Sequence, residues 1–171
     1  QGWLLVEMDD IFMGGYTQTF WDKVEILKKQ LNFGKFKDPM EAPVDFGGRT
    51  VRQLPDYGFK FSMERYYHKT KYVQVDRNRA KAGATDLSEH EVTGYRGSSD
   101  ALSWAAREGR PDASGEASLM AQKLPQPSTT DMKQLNDCIK NVKENNTPCV
   151  QVRPIPFDDM LGFTFVDASK D

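Results

Sequence analysis

Two adjacent aspartates, Asp9 and Asp10, stand between two short apolar runs near the start of the chain, residues 3–6 and 11–13. This pattern predicts an antiparallel hairpin, in which residues 4–8 pair with residues 11–13 and both carboxylates lie at the turn. Neighbouring carboxylates repel each other unless a cation lies beside them. Hard oxygen ligands of this kind suit Mg²⁺ or Mn²⁺, so the pair predicts a metal site. The alternative is a solvent-exposed turn with no ligand.

Composition excludes several functional classes. The formal net charge of −2 provides no global cationic field, so any contact with nucleic acid must be local. The longest apolar run, residues 3–6, is far shorter than the roughly 20 residues that cross a bilayer. We therefore expect an intracellular protein, cytoplasmic or nuclear, without a membrane segment. The two cysteines, Cys138 and Cys149, are not spaced for a zinc site and predict a reduced pair.

Periodicity and capping signals predict an α+β fold. A helix is expected over residues 19–31, with an apolar face and with Thr19 and Asp22 as its capping pair. A second hairpin is expected between residues 43 and 63, because Pro55 and Gly58 favour a type I turn. Three helices should follow, over residues 88–106, 113–123 and 130–142. Short strands are predicted at residues 149–152 and 162–167.

Residues 60–81 form a basic stretch with seven Lys or Arg side chains against two acidic ones. It is the local cationic region that nucleic-acid binding would need. Tyrosines are interleaved with these basic residues, as in surfaces that follow a nucleic-acid backbone. The alternative is a solvated outer face with no ligand.

Several segments, in order, resemble reverse transcriptases of copia-type LTR retrotransposons. The residues around Asp9-Asp10 resemble the aromatic-x-Asp-Asp box, with Glu7 in the place of the aromatic residue. The other matching segments are Phe46-Gly47-Gly48-Arg49, Ser62-Met63-Glu64-Arg65-Tyr66, Tyr95-Arg96 through Trp104-Ala105-Ala106, Arg110-Pro111-Asp112 and Phe165-Val166-Asp167-Ala168-Ser169. Together they span nearly the whole chain.

This resemblance implies a fold and a division of the chain. Residues 1–84 would be the C-terminal part of a polymerase palm, and residues 85–148 a helical thumb or connection region. Residues 149–171 would begin a ribonuclease H-like domain, in which Asp167 is the first metal ligand. A third palm carboxylate and the fingers would precede the Asp-Asp hairpin, so we expect a Pol polyprotein fragment that is inactive alone.

The resemblance also implies an activity, RNA-directed DNA synthesis by two-metal nucleotidyl transfer. Asp9 and Asp10 would be the catalytic metal ligands, with Mg²⁺ or Mn²⁺ as cofactor. The partners would be an RNA or DNA template-primer and deoxynucleoside triphosphates, with Arg65, Lys69 and Lys71 contacting nucleic-acid phosphates. Two alternatives remain open at this point: a catalytically dead nucleic-acid-binding remnant of a retroelement, and an unrelated intracellular α+β protein.

Overall fold

A computed structural model describes residues 2–7, 9–31, 33–75, 77–81, 85–145 and 147–156 of the chain. These residues form an α+β fold with antiparallel sheets, as the sequence predicts. The strands are β1 (Gly2–Glu7), β2 (Asp10–Gly15), β3 (Val44–Phe46), β4 (Arg49–Gln53), β5 (Phe59–Ser62) and β6 (Val150–Val152). The helices are α1 (Gln18–Gln30), α2 (Glu64–Tyr67), α3 (Arg77–Lys81), α4 (Glu89–Glu108), α5 (Ser114–Gln122) and α6 (Thr129–Glu144).

The first hairpin confirms the pairing predicted from the apolar runs. Strands β1 and β2 are antiparallel, with Leu4 opposite Met13 and Glu7 opposite Asp10. Helix α1 follows and places the Phe20 ring over the two strands' outer ends, where a Cβ on Gly2 or Gly15 would collide with it. These glycines therefore let the helix approach the sheet closely.

The predicted N-cap of α1 is wrong, because it lies two residues too far along the chain. The N-cap is Thr17, whose hydroxyl accepts a hydrogen bond from the Phe20 backbone N–H at 3.3 Å, and not Thr19. Asp22 lies within the helix, where its carboxylate accepts a hydrogen bond from Gln18 at 3.0 Å. Helix α1 therefore begins at Gln18, one residue before the predicted start.

Strands β3 to β6 form a four-stranded antiparallel sheet in sequence order. The hairpin of β4 and β5 confirms the one predicted between residues 43 and 63. Its turn is closed by a hydrogen bond from the Tyr57 N–H to the Leu54 carbonyl, so Pro55 holds the second position. Gly58 lies just beyond the turn, and Tyr57 itself adopts a positive φ of 65°.

The three predicted helices pack around the larger hydrophobic core. Ser88 and Glu91 form the expected capping box of α4, and Ser128 and Asp131 form a second one at the start of α6. The break at Arg110-Pro111-Asp112 is a short 3₁₀ turn before α5. The core side chains are below a tenth exposed and include Tyr95, Leu102, Met120, Met132, Leu135, Ile139 and Val142.

Strand β6 pairs with β5, with Val150 opposite Phe61, so residues 150–152 belong to the same sheet as the second hairpin. The strand predicted at residues 162–167 lies outside the described residues. The division of the chain at residues 84 and 148 stays a prediction. Among the helices that the structure describes, none is long and apolar enough to cross a membrane.

Candidate functional site

The tip of the first hairpin carries the two predicted catalytic carboxylates. Asp9 is in the turn and Asp10 is the first residue of β2, and both are exposed. The Phe12 ring, two residues further along β2, lies 5.3 Å from that of Phe46 and 5.7 Å from that of Phe59, measured between centroids. Because these aromatic contacts join the hairpin to the four-stranded sheet, they fix the position of the carboxylates relative to β3.

Asp9 and Asp10 open into a cavity of about 380 Å³. Its other walls are the segment that follows α1 and strand β3. The charged lining residues are Asp9, Asp10, Asp45, Lys35 and Lys37. The cavity therefore places carboxylates and ammonium groups around one space, which suits a ligand with both a cation and negatively charged oxygens.

The segment that carries the two lysines is held by aromatic contacts. The rings of Phe33 and Phe36 lie 5.5 Å apart in an edge-to-face arrangement. The Lys28 ammonium, on the last turn of α1, lies 4.1 Å from the centroid of the Phe36 ring. Lys35 and Lys37 therefore project from an anchored stretch of chain. Neither lysine was predicted from the sequence as part of the site. The signal in the sequence is a pair of lysines on either side of an aromatic residue just after the helix.

Glu7 stands where the resembling family has an aromatic residue. It lies opposite Asp10 in the strand register, and its carboxylate lies against Gly47, where a Cβ would collide with it. Gly47 and Gly48 have positive φ values of 54° and 75°, so the turn between β3 and β4 favours glycine for its conformation. The Glu7 side chain thus connects the Asp-Asp hairpin to this turn.

The described residues contain no group of three or more His, Cys, Asp or Glu side chains that could hold a metal ion. Asp9 and Asp10 supply two hard oxygen ligands, which is the number that Mg²⁺ often takes from protein when phosphate oxygens and waters complete its shell. Their chemistry therefore fits a metal bound together with a phosphate ligand. Asp167, predicted as the first metal ligand of a separate ribonuclease H-like site, lies outside the described residues.

The three predicted phosphate contacts have different surroundings. Arg65 donates to Asp45 at 2.7 Å, and both side chains are more than half exposed. Lys69 and Lys71 instead line a second cavity, between the segment of residues 69–74 and α4. Binding of nucleic acid by these three side chains stays a prediction.

A partly buried ion pair links the sheet to the helices behind the site. Glu108, at the end of α4, accepts hydrogen bonds from Arg49 on β4 and from Arg107. Burial favours the neutral acid, but the hydrogen bonds and charges of the two arginines outweigh it and lower the pKa of Glu108 below its ordinary value. The ionised carboxylate thus holds the start of β4, next to the Gly47-Gly48 turn.

Comparison of the chain with known protein families, with curated proteins and with solved structures finds no match.

Proposed function

We propose that this chain is part of an RNA-directed DNA polymerase of a copia-type retrotransposon, in which Asp9 and Asp10 hold the catalytic metal ions. The observation that carries the proposal is the pair of adjacent carboxylates at a hairpin tip, facing Lys35 and Lys37 in one cavity. The order of family-like motifs along the chain supports it. The alternative of an unrelated α+β protein gives no reason for this combination.

The chemistry follows from the charges that the cavity brings together. Bound Mg²⁺ would supply activation of a primer hydroxyl and neutralisation of charge on the transferred phosphoryl group. Asp9 and Asp10 would hold and orient that metal. Lys35 and Lys37 would attract the phosphate oxygens of the nucleotide into the cavity. The upstream carboxylate that the resemblance implies would complete the set, so this chain alone should not polymerise DNA.

Metal binding by the chain itself provides a direct test. Mn²⁺ titration followed by electron paramagnetic resonance should give weak binding, since two carboxylates form an incomplete shell. Asp9→Asn should weaken it further. The matched control is Asp137→Asn, since Asp137 is an exposed carboxylate on α6. This substitution should leave Mn²⁺ binding unchanged. Equal effects of the two substitutions would contradict the assignment.

A second test uses a longer reverse transcriptase that contains this chain. There Asp9→Asn should abolish primer extension and leave template-primer binding intact, because the carboxylate acts on the metal and not on the nucleic-acid backbone. Normal extension by this variant would refute the catalytic role. If the unsubstituted protein binds template-primer but never extends it, the catalytically dead remnant becomes the better interpretation.

A further inference from the structure

A groove of about 460 Å³ runs between the segment of residues 69–74 and α4. The Ser98 hydroxyl donates to the Lys71 carbonyl at 2.9 Å and holds the segment against the helix. Gly97 lines the groove, and a Cβ there would have no atom within 4 Å, so a side chain can be added at this position. The polar and aromatic lining residues are Lys69, Lys71, Tyr72, Gln74, His90 and Thr93.

The groove carries a net positive charge. Among the described residues, one carboxylate lines the groove, that of Glu91, which is only 9% exposed and is already compensated. The Ser88 backbone N–H donates to it at 2.8 Å and Arg79 donates at 2.5 Å, and these bonds lower the pKa of Glu91 in spite of its burial. The ammonium groups of Lys69 and Lys71 therefore dominate the electrostatics of the groove.

An aromatic ring lies beside the two lysines. Tyr72 is 40% exposed, and the Lys143 ammonium lies 4.5 Å from the centroid of its ring. Lys143 also donates to the Thr70 carbonyl at 2.7 Å, so the ring and its cation are held in place by α6. Cationic groups next to an exposed aromatic ring are the combination by which proteins bind unpaired nucleotides.

We propose that this groove binds a single strand of nucleic acid, with Lys69 and Lys71 contacting phosphates and Tyr72 stacking on a base. A duplex would use the lysines but not the ring, because its bases are already paired and stacked. The proposal rests on the proposed function, for which nucleic acid is the substrate, and adds the wall formed by α4, which the sequence did not indicate.

The main test fills the groove without removing a charge. Gly97→Leu places a side chain in the open space, and leucine is a better helix former than glycine, so the fold should be retained. Gly115→Leu is the matched control. Gly115 is also helical and lies on α5, outside the groove, and a Cβ added there would likewise meet no atom within 4 Å. Circular dichroism checks that both variants are folded.

Binding is measured by fluorescence anisotropy with a labelled oligothymidylate of about 12 nucleotides, within the site sizes usual for such grooves. We expect Gly97→Leu to weaken binding at least tenfold, and Gly115→Leu to leave it unchanged. Lys69→Ala and Lys71→Ala should each reduce the slope of log affinity against log salt by about 0.7, the value for one phosphate of a single strand. Lys123→Ala, on another face, is the control for charge alone.

Three results would each contradict the proposal that the groove binds single-stranded nucleic acid. They are unchanged binding by Gly97→Leu, tighter binding of a duplex of the same length, and no binding of the oligonucleotide by the wild-type chain. None of these results bears on the metal ligands. The Mn²⁺ titration of the same wild-type sample and of its Asp9→Asn variant reports separately on the proposed function. Failure of the groove and failure of the polymerase assignment are therefore distinguishable.

Discussion

The buried Arg110-Asp112 pair allows a quantitative prediction about stability. Arg110 is 1% exposed, donates to both Asp112 carboxylate oxygens at 2.9 and 2.8 Å, and donates to the Val142 carbonyl at 2.8 Å. Asp112→Ala would leave the guanidinium buried, with that carbonyl and the Tyr67 side chain as its remaining described partners. Removing one partner of a buried pair costs about 3–5 kcal/mol. Because the Asp112 side chain is 43% exposed and water can replace it in part, we expect about 3 kcal/mol.

Removing the cation itself should cost no more than removing its partner. Arg110→Met leaves the Val142 carbonyl, near the end of α6, without its donor, which costs about 1–3 kcal/mol. Asp112 would then be an ordinary, partly exposed carboxylate. We therefore expect the double variant, Arg110→Met with Asp112→Ala, to be at least as stable as Asp112→Ala alone.

Urea unfolding followed by circular dichroism measures these differences, provided that the dependence on denaturant is unchanged between variants. If the double variant were less stable than Asp112→Ala by more than about 1 kcal/mol, the desolvated guanidinium would not be the source of the cost. That result would refute the reasoning, because it would mean that Arg110 contributes through packing and not through its paired charge.

The same pair predicts a dependence on pH. Hydrogen bonds from Arg110 hold the pKa of Asp112 below its ordinary value of 3.8. The stabilisation is fully present above the unfolded-state pKa and is lost as the pH falls through the lower pKa of the folded state. The difference in unfolding free energy between the wild-type chain and Asp112→Ala should therefore shrink below about pH 4.

Three further substitutions are checked by the same unfolding measurement. Ser99→Ala should stabilise the fold by about 1 kcal/mol, because the buried Ser99 hydroxyl has no hydrogen-bond partner among the described residues; a loss would show a missed partner. Tyr57→Gly should also stabilise it by about 1 kcal/mol by relieving a positive φ at an exposed position, and no gain would contradict this. Gly47→Ala should cost about 2 kcal/mol or more, since it strains the turn and displaces Glu7; an unchanged midpoint would exclude that contact.

The helical half of the fold was predictable because its signals are local. The capping box of Ser88 and Glu91 is visible at a spacing of three residues, and it forms as expected. The apolar residues predicted for α6 repeat at helical spacing, and all four of them are buried: Met132, Leu135, Ile139 and Val142. No distant residue is needed to place these elements.

The start of α1 was not predictable in the same way. Thr17 and Thr19 are equally good caps by residue type, and sequence alone cannot choose between them. The choice is made by packing, because Phe20 must reach over Gly2 and Gly15 on the adjoining hairpin. A contact across the chain thus decides a local boundary.

The candidate site was likewise predictable only where its signals are local in the sequence. The antiparallel pairing of the Asp-Asp hairpin follows from residues 3–13 and was predicted correctly, but Asp10 is paired with Glu7 as the first residue of β2 and does not lie in the turn. Its cavity was not predicted, since Lys35, Lys37 and Asp45 line the same space as Asp9 and Asp10 only when α1 turns the chain back and β3 packs on Phe12. A motif in the sequence can therefore indicate the carboxylates but not the cations that face them.

A count of basic residues in the sequence does not distinguish those that are paired with a carboxylate from those that line an open groove. Arg65 is paired with Asp45 and Arg79 with Glu91, whereas Lys69 and Lys71 line an open groove. A phosphate that binds Arg65 must compete with a carboxylate 2.7 Å away, whereas the carboxylate that lines the groove among the described residues, that of Glu91, is already paired with Arg79. The salt dependence of nucleic-acid binding should therefore follow the two lysines more closely than the total basic charge of residues 60–81.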